Sequence, residues 1–446
     1  MLRLKLTNEK TTGDKTVTTA PKDLELIYEG SVKRVFKANE KPDRLFFHFT
    51  DDYSVFDWGK MPDTIDNKGR ALARMGAFFF DQLGAPEIFQ RLKDNQHLSR
   101  FDKTFLDARF KHPVFDGVCG VTNFGLPHHF KNLIEDNGPQ KSLVHSILGA
   151  MPLMEVLTAR VERPELHQID GQPTYFYPHT QAQSSPQMTG RRLVPLEIVF
   201  RFGMPAGSSL KERLEKNPDY ARQLGLKSLP KEGDWLERPV IEYFTKLEPK
   251  DRLLTTQEAA HISGLNSFEF EYLNEMSYQA ALALFVLFAE KGIELWDGKF
   301  EMIIDYGAHK DGDRAANTKG GVLLLADSVG PDELRLIYKG VHLSKEMIRR
   351  IYRGTPWEES LKKAQLMAKG RGIADWKGIA LSELKSSPEQ LAGDEKASID
   401  KLYGTLANHL IGEPVFENHP TLDQFVDNLP AKLKGEASTA AQPSTR

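Results

Sequence analysis

Polar and apolar residues alternate along the run from Glu294 to Asp305, and this period of two predicts a β-strand. Because successive side chains of a strand point to opposite faces, Asp297, Lys299 and Glu301 share one face and the other face is apolar. A row of charges on a strand is also typical of a solvated surface. The spacing alone therefore leaves a functional site and an ordinary polar face about equally open.

A second apolar run, 321–326, ends in Asp327 and predicts another strand. The segment between the two runs, 306–320, is rich in Gly, Asp and Asn, which predicts a long hairpin loop. Antiparallel pairing of the two strands would bring Asp327 near Glu301. Two carboxylates beside Lys299 suit a magnesium–nucleotide site, because Mg²⁺ prefers oxygen ligands and an ammonium group attracts phosphate.

Strand-like runs come early in the chain and most helix-like runs come later, which favours an α+β fold over regular βαβ alternation. Two strand-like runs fall within 24–49, and a further strand is predicted at 193–200. Helices are predicted at 70–83, 210–215, 268–289, 344–352, 357–367 and 399–410. The segment from about 92 to 190 contains aromatic, Pro and Gly clusters and is expected to be irregular.

The length of 446 residues suits two lobes better than one small domain. The predicted parts are a flexible leader at 1–22, an N-terminal lobe at 23–190 with an insertion at about 92–190, a C-terminal lobe at 191–432 and a disordered tail at 433–446.

Composition narrows the possible functions. Hydrophobic residues make up 40% of the chain and charged residues 27%, which is a globular balance. The net charge of -3 implies no general attraction to nucleic acid or to an anionic membrane. The single cysteine, Cys119, excludes an internal disulfide and a multi-cysteine zinc site. No signal peptide and no apolar run of about 20 residues is apparent, so the cytoplasm is the expected location.

Two turns resemble places where phosphate binds. Gly30 and Lys33 lie at a strand–turn–strand junction, where the backbone can approach a nucleotide and the ammonium can reach its phosphates. A plain hairpin with surface lysines is the alternative. Arg201 ends a buried strand shortly before Ser208 opens a helix, which favours an anion pocket. A capping serine beside a structural arginine would give the same pattern.

A third turn follows the second strand of the predicted hairpin. Asp327, Asp332 and Arg335 place two acids and a guanidinium at one strand end, where ligands often bind. A capped turn with a salt bridge is the alternative interpretation.

These motifs, in this order, resemble the SAICAR synthetase family of purine-pathway ligases. The resemblance covers about residues 24–352. The segments that carry it are 28–34, 49–57, 68–69, 194–208, 295–301 and 326–335, together with Lys246 in 244–248.

The resemblance implies a two-lobed α+β fold, in which an antiparallel N-terminal sheet covers ATP above a larger sheet-and-helix lobe. It also implies an ATP-dependent ligase. The carboxylate of an aminoimidazole ribotide (CAIR) is joined to the amine of L-aspartate, and the products are SAICAR, ADP and phosphate.

The resemblance also implies roles for particular side chains. Glu301 and Asp327 would hold Mg²⁺. The remaining assignments are nucleotide binding by Gly30, Lys33, Lys246, Glu301 and Asp327, catalysis by Lys299, Asp297 and Lys246, and substrate binding by Asp57, Arg201, Ser208, Asp332 and Arg335.

Three departures from the family pattern keep two other hypotheses open. Ser31 stands where the family usually has a lysine, Glu248 replaces an aspartate, and Ser328 replaces an acid. The altered region 246–254 motivates a related carboxylate–amine ligase with other substrates. Ser31 and Ser328 motivate a non-catalytic nucleotide-binding homologue.

Overall fold

The computed structural model of the protein describes residues 23–135, 152–178, 190–307 and 320–434. The predicted leader, nearly all of the predicted hairpin loop and the predicted tail beyond residue 434 lie outside these ranges.

The strands of the described residues are β1 (Glu25–Glu29), β2 (Lys33–Lys37), β3 (Arg44–Phe49), β4 (Phe130–Ile134), β5 (Leu153–Leu157), β6 (Glu165–Ile169), β7 (Gln172–Phe176), β8 (Arg191–Leu193), β9 (Leu196–Gly203), β10 (Trp235–Thr245), β11 (Leu253–Leu254), β12 (Glu294–Asp305), β13 (Val322–Ala326), β14 (Leu334–Tyr338) and β15 (Val341–His342).

The helices are α1 (Lys68–Gly84), α2 (Pro86–Gln90), α3 (Lys103–Phe110), α4 (Pro113–Asp116), α5 (Val121–Phe124), α6 (Ser209–Lys216), α7 (Tyr220–Gln223), α8 (Thr256–Ser263), α9 (Ser267–Ala289), α10 (Lys345–Tyr352), α11 (Pro356–Arg371), α12 (Trp376–Ser382), α13 (Gly393–Ile411), α14 (Leu422–Asp427) and α15 (Ala431–Lys434). A 3₁₀ helix spans Gln96–Arg100.

The N-terminal sheet has five strands in the order β1-β2-β3-β5-β4, and each strand is antiparallel to its neighbours. The predicted α+β class with an antiparallel N-terminal sheet is therefore confirmed. The expectation that 92–190 is irregular is wrong for its described parts, because β4 and β5 complete this sheet. The division into two lobes near residue 190 stays a prediction.

Strand β12 is the centre of the second sheet, which has eight strands. Its first half lies between β9 and β14, and its second half pairs with β8 and β13. All four pairings are antiparallel. The predicted hairpin is confirmed, and its register places Glu301 opposite Ala326, the residue before Asp327.

The long helix α9 packs against β12 and is buried along most of its length. Its start is fixed by a capping box, in which Asn266 and Glu269 each bind the other's backbone N–H. One continuous apolar core includes side chains from both sheets, such as Phe47 and Phe300. The elements that carry the charged residues described below are therefore held by a shared core.

Lys68, at the start of α1, has no exposed surface, and its ammonium lies 2.9 Å from the carboxylate of Asp332. The hydroxyl of Tyr403, on α13, donates to the same carboxylate at 2.6 Å. Burial works against the charged form, yet Lys345 and Lys68 hold the pKa of Asp332 well below its ordinary value. This ion pair ties α1 to the turn before β14.

Replacing Lys68 by methionine should destabilise the fold, because it leaves the buried charge of Asp332 without its closest cation. The expected loss is about 3–5 kcal/mol in the free energy of unfolding, measured by urea titration. The matched control is Lys363→Met, an exposed position on α11, which should change the free energy by less than about 0.5 kcal/mol. Equal values for the two variants would contradict the assignment.

Candidate active site

Glu301 and Asp327 lie side by side where β12 and β13 pair. Lys33 reaches them from β2 of the N-terminal sheet and forms an ion pair with Asp327. The Lys33 ammonium also lies 4.5 Å from the ring centroid of Phe47, a favourable cation–π position. One ion pair therefore connects the two sheets.

Two more lysines and one more acid complete this group. Lys246 follows β10, and its ammonium lies 2.5 Å from Glu301 and 3.1 Å from Glu197. Glu197, on β9, also accepts from Lys299 of β12 at 2.7 Å. We call these six residues the acid–lysine cluster: Lys33, Glu197, Lys246, Lys299, Glu301 and Asp327.

The two neighbouring carboxylates of the cluster have opposite pKa shifts. Burial, and then the negative charge of Asp327, raise the pKa of Glu301 to about 6. Burial opposes ionisation of Asp327 too, but the adjacent Lys33 holds its pKa below the ordinary value. Burial alone would lower the pKa of Lys246, yet Glu301 and Glu197 raise it. Burial likewise opposes the charge of Lys33 and Lys299, but Asp327 and Glu197 respectively raise their pKa values, so all three lysines of the cluster are cationic near neutral pH.

The backbone of Asp327 adopts a left-handed conformation with φ of 60°, which is uncommon outside glycine. The Nε2 of His129 lies 2.9 Å from the Asp327 carbonyl oxygen. Burial lowers the pKa of His129 to about 3, so the ring is neutral. Because a carbonyl oxygen can only accept, Nε2–H is the donor. This bond fixes the turn that aims Asp327 at the cluster.

A cavity of about 290 Å³ opens beside the cluster. Its lining residues come from both sheets and from the turn after β13: Tyr28, Gly30, Ser31, Val32, Lys33, Phe49, Leu72, Lys246, Lys299, Asp327, Ser328, Val329, Gly330, Asp332 and Glu333. At Gly30 a Cβ would lie 3.2 Å from the Lys33 carbonyl oxygen and 3.3 Å from the Tyr28 ring, which favours glycine there.

The second group of predicted residues also comes together, on the same face of the second sheet. Asp297 lies between two guanidinium groups, 3.0 Å from Arg201 and 3.5 Å from Arg335. The register of β9 and β12 places Asp297 directly opposite Arg201. Glu242, on β10, accepts from Arg201 Nε at 2.5 Å.

Ser208 caps helix α6, and its hydroxyl oxygen accepts from Leu210 N–H. Arg201 lies 3.5 Å from the same hydroxyl, and Arg335 donates to the carbonyl of Ala206 at 3.4 Å. The helix N-terminus and two guanidinium groups therefore meet, as an anion pocket requires. Arg201 is also buried and forms ion pairs with Glu242 and Asp297, as a structural arginine would. The anion pocket and the structural arginine beside a capping serine therefore both fit what the structure places here.

Two other predicted substrate residues, Asp57 and Asp332, are not part of this second group. Asp57 is exposed and has a left-handed backbone with φ of 58°. It contributes to a raised pKa of Asp251, behind the larger effects of burial and Glu197, so it lies near the acid–lysine cluster. The carboxylate of Asp332 points into the protein toward Lys68, which favours a role in holding the turn.

The carboxylates at this site fit a magnesium ion whose other coordination positions are filled by phosphate oxygens or water. Mg²⁺ is commonly held by one or two carboxylates, with phosphate oxygens or water completing its shell. Glu301 and Asp327 provide the two carboxylates. In the four described ranges, no group of three histidine, cysteine or acidic side chains could hold a metal ion without further ligands.

Reasoning from the sequence missed three residues of the site. Glu197 binds two of the lysines, His129 fixes the Asp327 backbone, and Glu333 lines the cavity. Glu197 could have been found, because it lies four residues before Arg201 on the same strand and therefore on the same face. His129 gives no local signal, because it lies just before β4 and meets Asp327 only in the folded chain.

The chain is similar to known SAICAR synthetases. The SAICAR synthetase family model matches residues 26–107 and 133–364. A protein of Archaeoglobus fulgidus, provisionally named phosphoribosylaminoimidazole-succinocarboxamide synthase, is 29% identical over 91% of this chain and 100% of its own. The Thermoplasma acidophilum protein of that name is 26% identical over 87% of this chain and 99% of its own.

A solved structure described as SAICAR synthase has a similar fold. The TM-score is 0.50 and the identity 16%, with 89% of this chain and 99% of that chain covered. In the described part of this chain, no helix combines the length and the hydropathy needed to span a bilayer.

Replacing Glu301 by glutamine should stabilise the protein, and the gain should grow with pH. The folded state holds the Glu301 proton more tightly than the unfolded chain, since the pKa rises from 4.5 to about 6. That stabilisation is complete below pH 4.5 and is lost as pH rises through 6. The gain should reach about 2 kcal/mol at pH 7.

Urea unfolding of the two proteins between pH 4.5 and 7, in the absence of divalent cations and nucleotide, measures this difference. Glu359→Gln makes the same chemical change at an exposed position of α11 and is the control. A gain for Glu301→Gln that stays constant across this range would contradict the assigned pKa.

Proposed function

The chain belongs to the SAICAR synthetase family, and from this premise we propose the reaction that it catalyses. The proposed reaction joins the carboxylate of CAIR to the amine of L-aspartate and converts ATP to ADP and phosphate. The observation that carries the proposal is the acid–lysine cluster, in which three lysines and three carboxylates lie beside one cavity between two sheets.

The reaction proceeds in two displacements. A carboxylate oxygen of CAIR attacks the γ-phosphorus of ATP, the bond to the ADP oxygen breaks, and an acyl phosphate forms. The amine of aspartate then attacks the acyl carbon, and phosphate leaves with the electron pair of the C–O bond. Both steps depend mainly on positioning and on stabilising negative charge.

The lysines of the cluster supply the charge stabilisation. Lys33, Lys246 and Lys299 each contact a carboxylate in the protein alone. When ATP enters the cavity, its phosphates compete for these ammonium groups. The lysines would then offset the charge on the transferred phosphoryl group.

Glu301 and Asp327 would hold Mg²⁺ together with phosphate oxygens. When bound, the ion supplies further stabilisation of phosphate charge. Gly30 would let the strand–turn–strand backbone lie close to the nucleotide. We expect a cytoplasmic location, with which the lone Cys119 is compatible.

The ribotide would bind at the second group of residues, which we call the ribotide group: Arg201, Ser208, Asp297 and Arg335. Arg335 and the N-terminus of α6 at Ser208 offer donors to its phosphate. Arg201 and Asp297 hold each other in place and orient Arg335. Asp57, on the exposed side of the cluster, would contact a polar group of a substrate.

A coupled assay for ADP tests the reaction. With ATP and Mg²⁺ present, ADP should accumulate as SAICAR forms only when CAIR and aspartate are both added. Lys246→Met should lower kcat by at least about 100-fold, because a charge that stabilises the transferred phosphoryl group is lost. No ADP from the complete mixture would contradict the proposal, and turnover with a different amine would support a related ligase.

Replacing Arg335 by methionine tests the ribotide site. The KM for CAIR should rise at least tenfold, because a hydrogen bond to a charged group contributes about 1.5–3 kcal/mol. The KM for ATP should change less than about twofold. Arg222→Met on the exposed helix α7 is the control. Equal increases in both KM values would contradict the assignment.

A further inference from the structure

Glu333 lies between the two groups of proposed site residues. Its carbonyl oxygen accepts from the backbone N–H of Lys299 at 3.2 Å. Lys299 lies on β12 between Asp297 of the ribotide group and Glu301 of the acid–lysine cluster. Glu333 therefore lies beside Lys299, and it lines the cavity that the proposed function assigns to ATP.

Glu333 differs from the other acids that line the cavity, because among the described residues its carboxylate forms no ion pair. Asp327 pairs with Lys33, and Asp332 pairs with Lys68. Within the described residues, no ion pair or side-chain hydrogen bond is made by the Glu333 carboxylate. A partly buried carboxylate that lines a cavity without a partner is expected to bind a cation or a donor there.

The charged groups around Glu333 are mixed in sign. Lys345 of α10 and Lys33 of β2 attract its negative charge, whereas Asp332 and Asp327 repel it. Burial is the largest effect, and these groups together raise the pKa of Glu333 to about 7. A carboxyl group that changes its protonation near neutral pH can accept a proton from a bound ammonium group.

A metal ion is a poorer occupant than an amine. Glu333 is not grouped with Glu301 and Asp327 as a third ligand, since the described residues form no such trio. A primary ammonium group needs only one carboxylate at hydrogen-bond distance, and it leaves the magnesium pair undisturbed.

We propose that Glu333 binds the amino group of the second substrate, an amino acid that enters as an ammonium ion, and holds it beside the acyl phosphate. This inference rests on the proposed function and names a substrate contact within that site. The Glu333 carboxylate then accepts one proton from the ammonium group.

The chemical step balances with no further reactant. The neutral amine attacks the acyl carbon, so the C–N bond forms and the C–O bond to phosphate breaks. Phosphate leaves with the electron pair of that bond. The departing phosphate takes the proton that the new amide nitrogen loses and becomes hydrogen phosphate. The proton held by Glu333 passes to solvent after the amide has left, so the products are the amide, hydrogen phosphate and one proton.

Glu333→Gln keeps the shape of the side chain and removes its charge. The KM for aspartate should rise at least tenfold, which corresponds to about 1.4 kcal/mol. The KM values for ATP and CAIR should stay within about twofold. Glu333→Asp should give an intermediate KM for aspartate, because the charge remains on a shorter side chain. Glu359→Gln is the matched surface control.

Hydroxylamine provides a readout that a merely structural role would not give. It is uncharged near neutral pH and traps an acyl phosphate as a hydroxamate. With ATP, Mg²⁺ and CAIR, Glu333→Gln should form hydroxamate at nearly the wild-type rate while its reaction with aspartate is impaired. Equal losses with both nucleophiles would overturn the inference, as would an unchanged KM for aspartate.

Failure of the proposed function gives a different result. Wild-type protein would then form no hydroxamate from ATP, CAIR and hydroxylamine, and no ADP from ATP, CAIR and aspartate. If the wild type forms both products and Glu333→Gln has the wild-type KM for aspartate, the proposed ligase activity is supported and only the role of Glu333 is wrong.

Discussion

The structure depends on charges that are buried at the junction of two sheets. Lys33, from the N-terminal sheet, meets Asp327, which follows β13 of the second sheet. Removing either charge alone would leave the other buried without compensation, which is costly. A magnesium–nucleotide complex carries both signs of charge, so it can replace these internal contacts. In the proposed function, the same arrangement that stabilises the protein alone would bind ATP.

Strand β12 makes this arrangement possible. It is long enough to pair with β9 and β14 at one end and with β8 and β13 at the other. The period of two along β12 places Asp297, Lys299 and Glu301 on one face. Strand β12 thus carries members of both groups at alternate positions, Asp297 of the ribotide group and Lys299 and Glu301 of the acid–lysine cluster. The pleat fixes the separation of these three residues.

The sequence predicted the parts of the site that follow from local periodicity. The β12–β13 hairpin, and with it the proximity of Glu301 and Asp327, came from two apolar runs and a loop between them. The pairing of β4 and β5 with β3 was not predicted, because it joins segments far apart in the chain. His129 was missed for the same reason. The inward direction of Asp332 depends on Lys68, which the motif itself does not reveal.

The most direct test of the central claim is a crystal structure of the protein with Mg²⁺ and a non-hydrolysable ATP analogue. The account predicts a metal ion bound by Glu301 and Asp327, with the ammonium groups of Lys33 and Lys246 turned from these carboxylates toward the phosphates. A nucleotide bound outside the cavity, or a metal ion that contacts neither carboxylate, would contradict it.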